Sequence, residues 1–228
     1  MKKIEEIYNY ININSDQIIN NLKYESIDVY KFIQYEFLKG NIENNYLFQF
    51  VFRSYYRLDN AGLTEEFKRE YFKLLEENRD KEIFDYEYAL KRLYKIKNRK
   101  GQESFQFSFV TKLFNTIDNH MPIYDSEVVN VFGFSKYMQR SFDVKIENYL
   151  NQLEAIKNVY HKIIDEGLLE NTINRFNQKF IENNISEMKK LDFIFWSAGK
   201  IMRKKALIGE ESFLSLEEVD KIDKSLES

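Results

Sequence analysis

The residues best placed to do chemistry surround the only proline of the chain. Pro122 lies in the stretch Asn119-His120-Met121-Pro122-Ile123-Tyr124-Asp125-Ser126. Proline fixes φ, lacks an N–H and drives its predecessor out of the helical region, so one helix must end before it and another begin after it. Asp125, followed by Ser126 and Glu127, falls where that next helix starts. The helix dipole and the free N–H groups of a first turn favour a charged carboxylate there. Set in a cleft, such a carboxylate can stabilise a developing cation and orient a water. Lys112 precedes it in Phe109-Val110-Thr111-Lys112-Leu113-Phe114. If Phe109 and Phe114 withdraw it from water, its amine holds a proton less tightly and becomes a nucleophile. His120 and Tyr124 beside Asp125 leave open an acid–base site for a small molecule. The plainer expectation makes Asp125 a helix cap and Lys112 a surface lysine on a buried helix. It makes His120 a loop residue, His161 an ordinary helix residue and Trp196 a core anchor.

The elements that must position these residues read as helices. Seven glycines and one proline leave little punctuation for hairpins. Tyr30, Ile33, Phe37 and Leu38 form one stripe, with Ser26 as N-cap and Gly40 as the stop. Tyr46, Phe50, Val51 and Ser54 form the next. Thr64-Glu65-Glu66 opens a helix through Phe67, Tyr71 and Leu74, and another runs from Tyr86 to Ile96. Residues 104–117 carry Phe105, Phe109, Leu113 and Ile117 on one side and Phe107, Val110 and Phe114 on another. A helix apolar nearly all round belongs in the centre of a core. Helices follow over about 125–132, stopping near Gly133, and about 145–166, stopping near Gly167. Two more cover about 168–184 and 187–207, and Ser215 with Glu218 has the spacing of a capping box. The fold class is therefore all-α: one compact multi-helix domain over residues 1–228. A cleft between lobes 1–100 and 101–228 is an option, because Asn98, Gly101 and a basic run coincide there.

The segment Ser104 to Val128 also resembles the active-site region of the helix-hairpin-helix DNA glycosylase superfamily. The resemblance lies in a helix bearing Thr111-Lys112, a turn, a Pro122-Ile123-Tyr124-Asp125 segment and a new helix. It implies an all-α fold with a cleft between helical lobes and binding of double-stranded DNA through backbone amides. It further implies a flipped base and cleavage of its N-glycosidic bond, with Asp125 as the catalytic aspartate and Lys112 as the candidate lysine. The family's Gly-x-Gly hairpin turn is represented by Gly101 alone, and the lysine-to-aspartate separation is shorter than usual. The same run, with Leu191-Asp192-Phe193-Ile194-Phe195-Trp196, is similar to bacterial proteins of no assigned activity.

Composition narrows the chemistry. Cysteine is absent, which excludes disulfides, thiolate metal sites and a cysteine nucleophile. Two histidines far apart do not make a metal site, and no cofactor is implied. Hydrophobic residues at 43% suffice for a sizeable core. The excess of Lys, Asn, Ile, Phe and Tyr has the bias of an AT-rich genome, so no single Tyr or Lys is singled out by abundance. No apolar run is long enough to span a membrane, and Met1-Lys2-Lys3-Ile4-Glu5-Glu6 has no apolar signal region. A cytoplasmic protein is expected. The net charge of −3 argues against nucleic-acid binding by the whole surface. It conceals a basic run, Lys91, Arg92, Lys95, Lys97, Arg99 and Lys100, without an acid among them, and a second in Lys200, Arg203, Lys204 and Lys205. Arg53 and Arg57, interleaved with Tyr55 and Tyr56, could contact phosphate or stack a base. Together these cations are the candidate DNA-binding positions. The segregation of basic and acidic segments equally suits a non-enzymatic protein-interaction or accessory defence module of a low-GC bacterium.

Overall fold

The computed structural model describes residues 2–135 and 141–207. Those residues form eleven α-helices and no strand. In chain order they are α1 (Ile4–Ile13), α2 (Ser15–Asn21), α3 (Tyr24–Leu38), α4 (Tyr46–Tyr56), α5 (Glu65–Glu77) and α6 (Tyr86–Tyr94). Then come α7 (Phe107–Ile117), α8 (Ser126–Phe132), α9 (Phe142–Asp165), α10 (Glu170–Lys179) and α11 (Glu187–Leu207), with a single 3-10 turn at Leu58–Ala61 between α4 and α5. The Ser215 and Glu218 capping pattern lies outside the described residues.

Two helices organise the rest. The central one is α7, whose Phe107, Phe109, Val110, Leu113 and Phe114 are all buried, as the near-continuous apolar surface predicts. It packs on α3, α5 and α6, and the Tyr71 hydroxyl of α5 donates to the Phe109 carbonyl at 2.9 Å. The second is α11, which packs on α2, α8, α9 and α10. The N-terminal helices therefore lie against the C-terminal ones. Ser197 Oγ donates to the Ile18 carbonyl at 2.7 Å, and Lys179 Nζ donates to the carbonyls of Ile19 and Leu22.

Several expected boundaries hold for the expected reasons. Thr64 caps α5 by accepting from the Phe67 N–H, and Gly40 and Gly133 turn left-handed just past α3 and α8. Others shift. Ser26 is no N-cap: α3 already begins at Tyr24, and the Ser26 N–H donates to the Lys23 carbonyl inside the first turn. Burial of Leu22 and Ile27 fixes the start more strongly than a serine preference. The α7 helix starts at Phe107, not 104, because Asn98 Oδ1 accepts from the N–H groups of Lys100 and Gln102 and holds that stretch as a turn. Phe105 then packs non-helically on Phe142 and Tyr149. The helix expected over 168–184 ends at Lys179, since Glu182 and Asn184 adopt positive φ. The stripe Tyr46, Phe50, Val51 and Ser54 is not the core face of α4: Tyr46 and Phe50 are exposed, and Phe48, Phe52 and Tyr56 are buried. That helix is apolar on opposite sides, so periodicity alone cannot choose its buried face.

Candidate functional site

The candidate site grows out of the polar side of α7. Thr111, Lys112, Asn115 and Thr116 occupy positions i, i+1, i+4 and i+5, which share one face of a helix. All four are buried. That face looks onto the Pro122 segment and onto α11. Buried polar groups require partners, and the non-helical segment supplies and demands them. The Tyr124 N–H donates to Thr111 Oγ1 at 3.0 Å, and Asn115 Nδ2 donates to the Met121 carbonyl. The Ile123 N–H donates to Asp192 Oδ1 of α11 at 3.2 Å.

Held this way, the segment delivers Asp125 to the start of α8. Its φ of −113° and ψ of 153° are those of an N-cap, and its Oδ1 accepts from the Glu127 N–H at 2.9 Å. The other carboxylate oxygen, Oδ2, lies 3.4 Å from Lys112 Nζ. Lys112 is not the surface lysine of the plainer expectation: it is 8% exposed. Its ammonium sits 5.1 Å from the centre of the Phe109 ring and 5.9 Å from that of Tyr56. Burial pulls its pKa below the ordinary lysine value, and Asp125 opposes that shift. Asp125 keeps a partly exposed side chain.

Behind it lies a second pair that sequence reasoning missed. Lys189 Nζ and Asp192 Oδ2 of α11 are 3.3 Å apart and fully interior. Asn115 bridges the two pairs' elements, accepting from Lys189 Nζ at 2.8 Å and donating to Asp192 Oδ2 at 3.3 Å. Burial pushes the Asp192 carboxyl up to about 6, only partly offset by Lys189, and pulls Lys189 down. The outer pair acts on the inner one: Asp125 raises Lys189 and Asp192, and Lys112 lowers Lys189. Tyr30, Tyr56 and Tyr160 close the interior, all with phenols pushed up by burial and by Asp192. Lys189 Nζ sits 4.8 Å from the centre of the Tyr30 ring. The signal in the sequence is a Lys and an Asp at i, i+3 preceding the apolar run Phe193-Ile194-Phe195 of α11.

Glu127, in the first turn of α8, is the second carboxyl beside Asp125. Burial raises its pKa, while Arg203, Lys200 and Arg57 oppose. Arg203 Nη1 is 3.0 Å from Glu127 Oε1. Arg57, which takes a left-handed conformation at the end of α4, is thus brought to the site and acts on both Lys112 and Glu127. Arg53 instead lies 3.7 Å from Asp59 and 3.9 Å from Glu65. In the basic run, Arg92 is clamped by Glu70 and Glu77, and Lys91 binds Glu87 and approaches Asp143. Arg99 Nε donates to the Leu63 carbonyl, and Lys95, Lys97 and Lys100 are exposed.

The remaining expected residues fall elsewhere. His120 is exposed, with Nδ1 3.0 Å from Asp118 Oδ1. The Tyr124 hydroxyl donates to Gln152 in the core, and His161 is exposed. Trp196 is half-buried against the core under Lys200, 4.5 Å from its ring. A groove of about 430 Å³ runs past Pro122, lined by Ile83, Phe84, Tyr86, Leu150 and Glu154 among others; Lys112 and Asp125 are not in its lining. Among the described residues no group of three or more His, Asp or Glu could hold a metal, and no helix is long and apolar enough to cross a membrane. Comparisons with protein-family models, with curated proteins and with solved structures find no match to this chain.

Proposed function

We propose that this chain is a DNA-binding helical protein with a glycosylase-like centre formed by Asp125 and Lys112. The observation that carries the reading is the 3.4 Å approach of a buried lysine to a carboxylate that is itself fixed as a helix cap and open to solvent on one side. Fixed charge at the rim of a low-dielectric interior is suited to stabilising a cationic sugar as its base departs. In the hydrolytic step, Asp125 orients a water. The water oxygen bonds to the anomeric carbon while its proton passes to the Asp125 carboxylate, the C–N bond breaks, and its electron pair leaves with the base, which takes up a proton from solvent. The lowered proton affinity of Lys112 suits an amine that attacks the same carbon. Arg57, Lys200 and Arg203 add positive charge close to Glu127, with Arg203 paired to it at 3.0 Å, and are the candidate phosphate contacts of this reading.

The test is fluorescence anisotropy with plain and lesion-bearing duplexes at two salt concentrations, followed by alkali cleavage of the same mixtures. Binding that weakens with salt, with strand breaks abolished in Asp125→Asn and Lys112→Met, is the expected result. Wild-type protein that binds no duplex would overturn the DNA-binding reading. Binding without breaks on any lesion would remove the catalytic part.

A further inference from the structure

The groove past Pro122 does not include Lys112 or Asp125 and has a chemistry of its own. Its volume of about 430 Å³ lies within the range of roughly 300–1,000 Å³ common for small-molecule sites. Three elements build it: the segment leading into α6, the Pro122 segment and α9. Phe84 and Tyr86 form an aromatic wall backed by the buried Phe114 of α7. The Phe114 ring stacks on Phe84 with centres 4.8 Å apart and meets Tyr86 edge-on at 4.6 Å. Asn115 donates to the Met121 carbonyl, so α7 also fixes the Pro122 side. Leu150 and Leu153 of α9 supply an aliphatic side.

The charge of this lining is one-sided. Glu82 and Glu154, both exposed, stand against Lys157 alone. Among the described residues neither carboxylate is taken up by an ion pair. Burial pushes the Tyr86 phenol up, and Asp118 and Glu154 push it further, so the negative potential of both reaches the aromatic wall. The Tyr86 hydroxyl has no hydrogen-bond partner among the described residues, which leaves its oxygen able to accept one.

We propose that the groove binds a small organic cation, an ammonium or guanidinium carried on an apolar body. The aliphatic and aromatic walls suit the body, and aromatic rings also attract a cation placed over them. The carboxylates suit the charge. An anion would be repelled by Glu82, Glu154 and Asp118, and a neutral apolar molecule would gain nothing from them. The reading is independent of any role of Asp125 in DNA chemistry.

The test is a heteronuclear NMR titration of the full chain with three probes of one skeleton: phenylpropylamine, phenylpropanol and phenylpropionate. The amine should bind with a Kd of about 1 mM, ordinary for a molecule of about ten heavy atoms. It should shift the amides of Ile83, Leu150 and Glu154. The alcohol should bind roughly ten-fold more weakly, and the carboxylate more weakly still. Glu154→Gln should weaken the amine by roughly two- to five-fold and leave the alcohol where it was. Because the Glu154 side chain is exposed, circular dichroism should not change. Glu82→Lys combined with Glu154→Lys should reverse the order, so that the carboxylate binds better than the amine. Equal binding of the three probes overturns the proposal. So does an amine that leaves the groove amides unmoved at about 10 mM, or one that binds the double lysine variant as well as wild type.

Discussion

Replacing Gly199 by alanine should destabilise the protein, although helix propensity alone predicts the opposite. Gly199 lies within α11 where α8 crosses it. A Cβ at this position would stand 2.1 Å from the Glu127 carbonyl oxygen, 2.6 Å from its carbon and 2.9 Å from its Cα. These are backbone atoms of α8, so no side-chain rotation relieves the clash. Restoring ordinary contact requires the helices to part by roughly 1 Å. That movement also opens gaps around the buried Val128, Val131 and Phe132. Overpacking costs about 1–3 kcal/mol, and backbone against backbone belongs at the upper end. Alanine returns about 1 kcal/mol over glycine in a helix. The net expectation is a loss of about 2 kcal/mol, equivalent to a fall in Tm of about 4 °C for a chain this long. Thermal unfolding followed by circular dichroism measures it, with Lys200→Ala as a control at an exposed position of the same helix. A Tm raised by Gly199→Ala would refute the reasoning, because the sign separates crowding from propensity.

Two further outcomes follow from the site. Asp125→Asn keeps an oxygen that can cap α8 but removes the charge opposite Lys112, whereas Asp125→Ala removes both; in urea unfolding Asp125→Ala should therefore lose about 1 kcal/mol more than Asp125→Asn. Asp192, raised from 3.8 to about 6, binds its proton more tightly folded than unfolded. Its contribution to stability is therefore fully present below 3.8 and is lost as pH rises through about 6. The difference in stability between wild type and Asp192→Asn should grow in favour of wild type as pH falls from 7 to 5. A flat or opposite difference would mean that Asp192 titrates elsewhere.

Much of this architecture was legible because few forces competed. Apolar periodicity, the scarcity of Gly and Pro and the single Pro122 break are enough to place α7, the cap at Asp125 and the stop at Gly133. Periodicity fails where a helix is apolar on two sides: α4 offers Tyr46 and Phe50 as readily as Phe48 and Phe52, and only the partners on α3 and α5 decide. The meeting of Lys112 with Asp125 follows from a helix, a turn and a cap, all local. Lys189 and Asp192 are distant in sequence from Asn115, and their approach to it depends on how α11 crosses the interior. The basic run at 91–100 shows the reverse limitation. A row of cations in sequence says nothing of Glu70, Glu77 and Glu87, which bind Arg92 and Lys91 from neighbouring turns and helices.

The two interior ion pairs are not equivalent, and the difference bears on function. The Pro122 segment cannot satisfy its own backbone, so α7 and α11 do it: Asn115 serves the Met121 carbonyl, Thr111 the Tyr124 N–H and Asp192 the Ile123 N–H. Asp192 thus has a structural duty, and Lys189 offsets its buried charge. Lys112 serves no backbone group of that segment, and the cap made by Asp125 is equally available to asparagine. Paired charges in an interior are commonly no more stabilising than apolar residues of similar size. Lys112→Met combined with Asp125→Asn should therefore unfold in urea within about 1 kcal/mol of wild type, or above it. Lys189→Met combined with Asp192→Leu leaves the Ile123 N–H buried without an acceptor and should lose about 1–3 kcal/mol. If the first double variant loses as much as the second, Lys112 and Asp125 are structural and the case for a chemical site there falls. If it does not, the fold keeps a buried lysine against an accessible carboxylate without needing either for stability.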